Sequence, residues 1–383
     1  MEGRVGDMVS MAVPLAVPYP PSRHLRLEGL DEPVMRRDLD GDNFPVTWAD
    51  DGLLYAGYGD GWGCRSVEKP TKLNTGMIRL RGEPPDVTGE EVAIPWYGGG
   101  AQNPNMKGCG LISVDGTLYH FLRRQVNQGQ PGEQRRQVAA ALIWSHDHGA
   151  TWQGDTAYTP DSPGAEGMSF FFREADHAFS SPTFLQAGQD YALAQDEYVY
   201  VYSPREDLRR RNDHLDLARV PRDRITERCA YELFAGIEPV RGGSETGSSG
   251  RPRWTRDMAQ RAPAFAFPGY VGAGDVVYWP ALGRYVLAQC ISWEPRAPGV
   301  QASRLALFDA PQPWGPWTTV GHVAPWGGGE DGDLRYDPRL PAKWIAADGT
   351  SAVLVFSHRQ QPDVLNYQRL RFSMLDGKEN QTP

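Results

Sequence analysis

The sequence lacks the cysteine and histidine spacing of a metal or redox site. Its four cysteines, Cys64, Cys109, Cys229 and Cys290, are far apart and form no CxxC or Cys/His pair. This excludes the common zinc and thiol-disulfide motifs. We therefore expect four free thiols and no cofactor, although a structural or axial cation such as calcium is compatible with the sequence.

Motifs of nucleotide-binding enzymes and serine hydrolases are also missing, since no G-x-x-x-x-G-K-[ST] or G-x-S-x-G occurs. Long basic runs are missing too. The formal net charge is −9, and the RRR at 209–211 stands alone. A polyanion such as nucleic acid is therefore not an expected partner, and a neutral substrate fits better.

The chain has no apolar run long enough to cross a membrane, and its N-terminal apolar stretch is broken by Pro14 and Pro18. This stretch is also too poor for a signal peptide. The sequence favours a cytoplasmic location, whereas an extracytoplasmic one would follow from a different translation start. It does not indicate an oligomeric state.

Turn-forming and aromatic residues are abundant: 43 Gly, 32 Pro and 12 Trp in 383 residues. This composition favours short strands joined by tight turns. A strand, an Asp/Gly turn and a second aromatic-rich strand recur about five times, which is the pattern of a β-hairpin. The hairpins lie at 44–59, 109–124, 182–203, 276–292 and 342–358.

Five hairpins predict an all-β chain that forms one five-bladed β-propeller, with each hairpin supplying the inner strands of a blade. We place an irregular segment at 1–21, the propeller at 22–376 and a tail at 377–383. Either 22–30 or 366–375 should complete a blade begun at the other end of the chain. The charged loop 204–228 is expected to contain a helical turn.

The segment Ser145-His146-Asp147-His148-Gly149-Ala150-Thr151-Trp152 matches the S-x-D-x-G-x-T-W pattern known as the Asp box. Its Asp carboxylate should accept backbone N–H bonds, its Gly should supply a positive φ, and its Trp should pack beneath the turn. The pattern resembles the peripheral turns of sialidases and other propellers. It therefore indicates fold rather than reaction.

Polar residues precede each hairpin, where the inner strands of a propeller begin. Acidic groups crowded at such a rim can acquire a raised pKa, as general acid catalysis needs. Polar groups there can also pair with sugar hydroxyls. The alternative is that they only cap turns. The candidate catalytic residues are Asp42, Asp60 and Asp275, and the candidate substrate-binding residues are Asn43, Trp62, Lys107, Arg173, His177 and Lys343.

Several segments together resemble a bacterial family known as domain of unknown function 4185, over nearly the whole chain. They are 42–63, 179–188, 197–204, 217–236, 280–289, 309–320 and 341–349. The family is similar to five-bladed propellers of carbohydrate-active enzymes. The resemblance implies a sugar site, but fold alone does not imply the chemistry.

Three functions follow as alternatives. A glycoside hydrolase would use two carboxylates, with Asp42 and Asp60 as the first pair and Asp275 in reserve. A polysaccharide lyase would use His177 or Lys107 as its base. A propeller without catalytic activity would only bind carbohydrate at its polar axis.

Overall fold

The computed structural model describes residues 16–69, 71–92, 106–126, 136–154, 170–205, 212–239, 250–272, 274–291, 303–327, 334–358 and 363–376. In these ranges the regular structure is 23 β-strands with short 3-10 turns. No described helix is long and apolar enough to cross a membrane. The chain is therefore all-β, as the sequence predicts, and its described strands fall into five antiparallel groups.

The first two groups are four-stranded and follow chain order. The hairpin turn of the second group has positive φ at both Asp115 (51°) and Gly116 (74°), which suits the right-handed twist of the flanking strands. The strands are β3 (Val46–Trp48), β4 (Leu54–Cys64), β5 (Gly76–Arg81) and β6 (Thr88–Val92), then β7 (Met106–Val114), β8 (Thr117–Val126), β9 (Arg136–Ser145) and β10 (Gln153–Gly154).

The third and fourth groups are joined by their inner strands, β11 and β17, which pair in parallel. The third group also carries an extra strand, β16, on β13. The strands are β11 (Thr183–Gln186), β12 (Tyr198–Pro204), β13 (Asn212–Pro221), β14 (Glu232–Glu238), β15 (Arg251–Thr255), β16 (Pro263–Val271), β17 (Asp275–Trp279), β18 (Arg284–Ile291), β19 (Arg304–Ala310) and β20 (Thr318–Val323).

The fifth group combines both ends of the chain. Its strands are β21 (Arg335–Arg339), β22 (Ser351–His358), β23 (Val364–Met374), β1 (Leu25–Leu30) and β2 (Val34–Asp42). β1 pairs antiparallel with β23, so the segments 22–30 and 366–375, each a candidate to join the two ends of the chain, lie side by side in one sheet. β2 pairs with both β23 and β4, and thereby links the fifth group to the first.

Two local predictions differ from the structure. The loop 204–228, expected to contain a helical turn, holds strand β13 at Asn212–Pro221, which pairs with β12 over seven residues, and a 3-10 turn begins only at Arg228. Residues 206–211 lie outside the described ranges. Asp216 on β13 tolerates burial because Arg205 and Arg261 both ion-pair with it. The predicted strand at the start of 342–358 is instead a 3-10 turn, Ala342–Trp344, because Pro341 before it has a fixed φ and no N–H for a ladder.

The turn at 146–151 has the contacts that its sequence pattern predicts. Asp147 accepts bonds from the N–H (2.8 Å) and the hydroxyl (2.6 Å) of Thr151, and Gly149 has a φ of 88°. Trp152 is buried and donates from Nε1 to the Gly149 carbonyl at 3.0 Å. These bonds, led by that of the Thr151 hydroxyl, lower the pKa of Asp147 to about 2.

The largest hydrophobic cluster lies between the second, third and fourth groups. Stacked aromatic rings join the second group to the third, with Phe121 and Phe184 centroids 4.8 Å apart. Such packing holds neighbouring groups in fixed register. A set of polar side chains lies at one end of the inner strands, where β2 ends and β7, β17 and β23 begin.

Candidate functional site

Five side chains meet where β2 ends and β7 and β23 begin, and we call them the carboxylate cluster: Asp42, Asp60, Asp363, Lys107 and Tyr336. The strand pairing brings them together from distant parts of the chain, because β2 lies between β4 and β23 in one sheet. Asp42 ends β2, Asp60 lies on β4, Lys107 is near the start of β7, Tyr336 is on β21 and Asp363 immediately precedes β23.

Asp42 is buried beside a glycine that leaves room for it. A Cβ at Gly59 would lie 2.8 Å from Asp42 Oδ1 and 3.7 Å from Lys107 Cδ. The pairing of β2 with β4 is irregular between Asp40 and Asp42, and such irregularities redirect side chains near functional sites. The carboxylate of Asp42 and the side chain of Lys107 therefore both border a space that glycine at position 59 keeps open.

Lys107 and Asp60 form an ion pair of unequal exposure. The Lys107 Nζ donates to Asp60 Oδ1, and its side chain is 7% exposed against 45% for Asp60. A weaker bond of 3.4 Å reaches Asn74 Oδ1. Burial lowers the pKa of Lys107, while the charges of Asp60 and Asp42 oppose that shift. Asp60 adopts a left-handed φ of 46°, a strained conformation that is often found at functional sites.

Asp363 has an environment unlike that of Asp60. Burial and then the negative charge of Asp42 raise the pKa of Asp363 to about 6. The Tyr336 hydroxyl lies 3.5 Å from Asp363 Oδ1 and 3.4 Å from Asp42 Oδ2. A carboxyl group with this pKa holds a proton under mildly acidic conditions, as a general acid must.

A buried polar layer adjoins the cluster and is centred on Arg339, which is 1% exposed. Its NH2 donates to Asn43 Oδ1 at 3.0 Å, and its NH1 lies 3.8 Å from Asp275 Oδ1. Asp275 Oδ2 accepts the backbone N–H of Leu340 at 2.7 Å. Burial raises the pKa of Asp275 to about 6, although the charge of Arg339 opposes the shift.

Asn43 links this layer to the second and fifth groups of strands. Its N–H donates to Ser357 Oγ at 2.7 Å, and its Nδ2 donates to the Gly108 carbonyl. It is 1% exposed and has a left-handed φ of 52°. Asn43 and Asp275 are therefore both engaged in contacts within the protein beside the cluster.

Three further predicted binding residues lie on β4 or in the segment before β11. Trp62 is half-buried on β4, and its N–H donates to Asp40 Oδ1 at 2.7 Å. Arg173 is exposed, with its guanidinium 5.8 Å from the ring centre of Phe170. His177 is half-buried before β11 and has a left-handed φ of 59°.

Lys343 lies at the opposite end of the inner strands. Its Nζ donates at 2.6 Å to the carbonyl of Gly52, in the turn between β3 and β4. Asp42 and Gly52 flank β3 on opposite sides, so the structure does not bring Lys343 to the carboxylate cluster. The 3-10 turn after Pro341 accounts for this position.

Among the described residues, one group of His, Cys, Asp and Glu side chains has ligand atoms within 4.8 Å of one another: Asp50, Asp51 and His148. It lies near Gly52, away from the carboxylate cluster. His148 Nε2 and Asp50 Oδ1 are 2.8 Å apart, and Asp51 accepts the Tyr55 hydroxyl at 2.9 Å. The members therefore already satisfy one another in part.

Comparison with known proteins identifies the family. The family described as domain of unknown function DUF4185 matches residues 108–362. The chain belongs to this family. The matched range includes Asp275, Tyr336 and Arg339, while Asp42 and Asp60 precede it. No curated protein matches the sequence.

Solved structures similar to this DUF4185 member have little sequence identity with it. A candidate hydrolase from Bacteroides ovatus is 12% identical, with a TM-score of 0.53 over 91% of this chain and 90% of that one. A GH43_1 enzyme from Xanthomonas citri is 13% identical, with a TM-score of 0.45 over 89% and 90%. A GH43 endo-arabinanase from Bacillus licheniformis is 12% identical, with a TM-score of 0.41 over 88% and 96%. The first of these shares its fold with the DUF4185 chain.

Three residues of the site are missed by sequence reasoning: Asp363, Tyr336 and Arg339. Asp363 precedes β23, which is not an inner strand of any predicted hairpin. Tyr336 lies in a polar segment before the fifth hairpin, but a tyrosine among four acidic residues gives no local signal of its role. Asp363 could have been predicted from the sequence as an aspartate that directly precedes an apolar strand.

Proposed function

We propose that this chain is a five-bladed β-propeller that acts as a glycoside hydrolase on a poly- or oligosaccharide. The propeller proposal is supported by the five antiparallel groups, by the parallel pairing of β11 with β17 and by the pairing of β1 with β23. A ring of this kind covers the edges of its sheets. Each group would then be one blade.

The observation that carries the hydrolase proposal is the pair formed by Asp42 and Asp363. In our proposal Asp363 is the general acid that protonates the departing sugar oxygen, because its pKa is raised to about 6. Asp42 is the base or nucleophile on the other side of the bond. Both oxygens lie within 3.5 Å of one hydroxyl, so they are at most about 7 Å apart, a limit that is compatible with the shorter carboxyl separation of retaining glycosidases.

In this proposal Asp60 is the ion-pair partner of Lys107, whereas the sequence predicts it to be the catalytic partner of Asp42. Its ion pair with Lys107 neutralises a buried cation, which otherwise would be costly. Lys107 is then held near Asp42 and can donate to a sugar hydroxyl. Asn74, which accepts from Lys107, restricts the orientation of the amine.

The lyase alternative is favoured by one observation, the lowered pKa of Lys107. A neutral amine beside Asp42 could remove a proton next to a uronic acid carboxylate. The partnership with Asp60 argues against this role, because the carboxylate stabilises the charged amine.

The deciding experiment is a product screen on plant, algal and bacterial polysaccharides, read by new reducing ends and by the ultraviolet absorbance of unsaturated products. We expect reducing ends without that absorbance. Turnover should fall as the pH rises through about 6, because Asp363 then loses its proton. Unsaturated products would identify a lyase, and binding without products would identify a carbohydrate-binding propeller.

Tyr336→Phe should shift the pH profile of kcat/KM towards higher pH. The hydroxyl stabilises the ionised form of Asp363, so its removal raises the pKa of that carboxyl. Because one neutral donor contributes about 1 kcal/mol, the shift should be below about one pH unit. Tyr367→Phe is the control, since that hydroxyl donates to the Pro85 carbonyl. An unchanged profile for Tyr336→Phe would remove Tyr336 from the proposed site.

A further inference from the structure

Two arginines flank one small residue beside the carboxylate cluster. Arg124 on β8 pairs with Ala139 on β9. The next residue of β9, Ala140, exchanges two backbone hydrogen bonds with Phe172, at 2.9 and 3.0 Å. Arg173 therefore comes alongside Ala139 from the other side. Residues opposite one another in antiparallel pairs point to the same face, so the two guanidinium groups share the face above Ala139.

Neither arginine has a carboxylate partner among the described residues, and Arg124 NH1 is buried without a hydrogen-bond partner. The acidic residues next along the chain are already paired. Glu174 binds Arg228 at 2.6 Å, and Asp176 binds Arg261 at 2.7 Å. In the described part of the chain, the two arginines are thus a pair of like charges whose neighbouring carboxylates are paired elsewhere.

The electrostatics of Arg124 reflect this surplus of positive charge. Burial and then the charge of Arg173 lower the pKa of Arg124. A bound anion would offset the free-energy cost of burying Arg124 and the cost of its repulsion by Arg173. It would supply the missing negative charge and the missing hydrogen-bond acceptor. Arg173 is exposed, so an anion can approach from solvent.

The pair lies at the same end of the strands as the cluster. Met106, which pairs with Arg124, accepts the Thr75 hydroxyl at 2.7 Å. The neighbours of these two residues are Lys107 and Asn74, which contact each other in the cluster. The arginine pair therefore lies beside the cluster, although Arg124 and Lys107 project from opposite faces of β7 and β8. A sugar chain bound at the cluster would reach the arginines around the ends of these strands.

We propose that Arg124 and Arg173 form a subsite for an anionic substituent of the carbohydrate, either a uronate carboxylate or a sulfate ester. This inference rests on the proposed carbohydrate function and narrows its substrate class to acidic glycans. Guanidinium groups suit both ligands because their planar N–H donors match two oxygens at once. This local positive site is not evident from the chain's net charge of −9.

The first test needs no sugar. Millimolar sulfate, compared with chloride at equal ionic strength, should raise the Tm of the wild type and leave that of Arg124→Gln/Arg173→Gln unchanged. Without sulfate, the double variant should be at least as stable as the wild type, because like charges are removed. An equal sulfate effect on both proteins, or a double variant that unfolds much earlier, would show that the arginines have a structural role instead.

The second test measures binding by calorimetry to Asp42→Asn, so that it does not depend on turnover. Oligogalacturonate and a sulfated galactan oligosaccharide distinguish the two anions, and a neutral oligosaccharide is the reference. Each Gln variant, Arg124→Gln or Arg173→Gln, should weaken acidic-probe binding about tenfold or more, whereas Arg251→Gln, an exposed control, should not.

The results separate the subsite from the hydrolase proposal. Arginine-dependent binding without any products would reject the hydrolase and keep the subsite. Hydrolysis of neutral glycans that is unaffected by the arginine variants would reject the subsite and keep the hydrolase. The absence of binding by both acidic probes would also reject the subsite.

Discussion

Asp363→Asn and Asp42→Asn are each expected to reduce turnover by a factor of about 10²–10⁴, the usual contribution of a general acid or base. An asparagine at 363 cannot deliver the proton that the raised pKa of the aspartate retains. An asparagine at 42 removes the negative charge that would activate water or attack the sugar. Initial rates by reducing-end assay, on a substrate found in the product screen, measure both effects.

The fold should survive these substitutions, because asparagine keeps the shape of the side chain and can still accept the Tyr336 hydroxyl. Circular dichroism and the Tm should therefore match the wild type. Asp223→Asn, at an exposed turn, is the matched control and should retain full rate. Asp60→Asn should have a smaller effect on kcat than Asp363→Asn. Full activity of Asp363→Asn would exclude it as the acid, and a large kcat loss in Asp60→Asn would restore the pair expected from sequence.

The strand pairs that depend on local signals are well predicted from the sequence. The Asp115-Gly116 turn requires two residues that tolerate positive φ. The alternation of apolar residues on both sides of the turn then identifies the two strands of the hairpin. The position of 342–346 is mispredicted, since Pro341 initiates a turn in a segment with the hydrophobicity of a strand. Asp216 shows the reverse case, in which a charged segment becomes a strand because two distant arginines neutralise it.

The candidate site, too, is predicted from the sequence only where its residues belong to elements with local signals. Asp60 and Lys107 come from the first two groups and Asp42 from the end of β2. Their grouping follows from the expectation that polar residues before inner strands share one rim. Asp363 reaches the site only because β23 pairs with β2, more than 300 residues away in the chain. No local pattern reports a contact over that distance, and the raised pKa of Asp363 depends on it.

Arg339→Met is expected to destabilise the protein by about 3–5 kcal/mol, because it leaves Asp275 buried without its counter-charge. Arg339 is 1% exposed, and its NH1 faces Asp275 while its NH2 binds Asn43. Methionine has a similar length but no donor for either residue. Urea unfolding followed by tryptophan fluorescence measures the loss, with Arg371→Met as the control. Arg371 is 55% exposed in its ion pair with Asp31, so that change should cost less than about 1 kcal/mol.

The destabilisation should also depend on pH in a defined direction. Burial already raises the pKa of Asp275 to about 6, and Arg339 opposes that rise. Without Arg339 the folded-state pKa rises further above its unfolded value, so folding favours the protonated acid. The variant is then least destabilised below about pH 6, where Asp275 is protonated in both folded proteins. It loses stability relative to wild type as the pH rises through the folded-state pKa. A pH-independent difference, or a loss that shrinks towards pH 8, would show that Arg339 acts through packing and Asn43 rather than through Asp275.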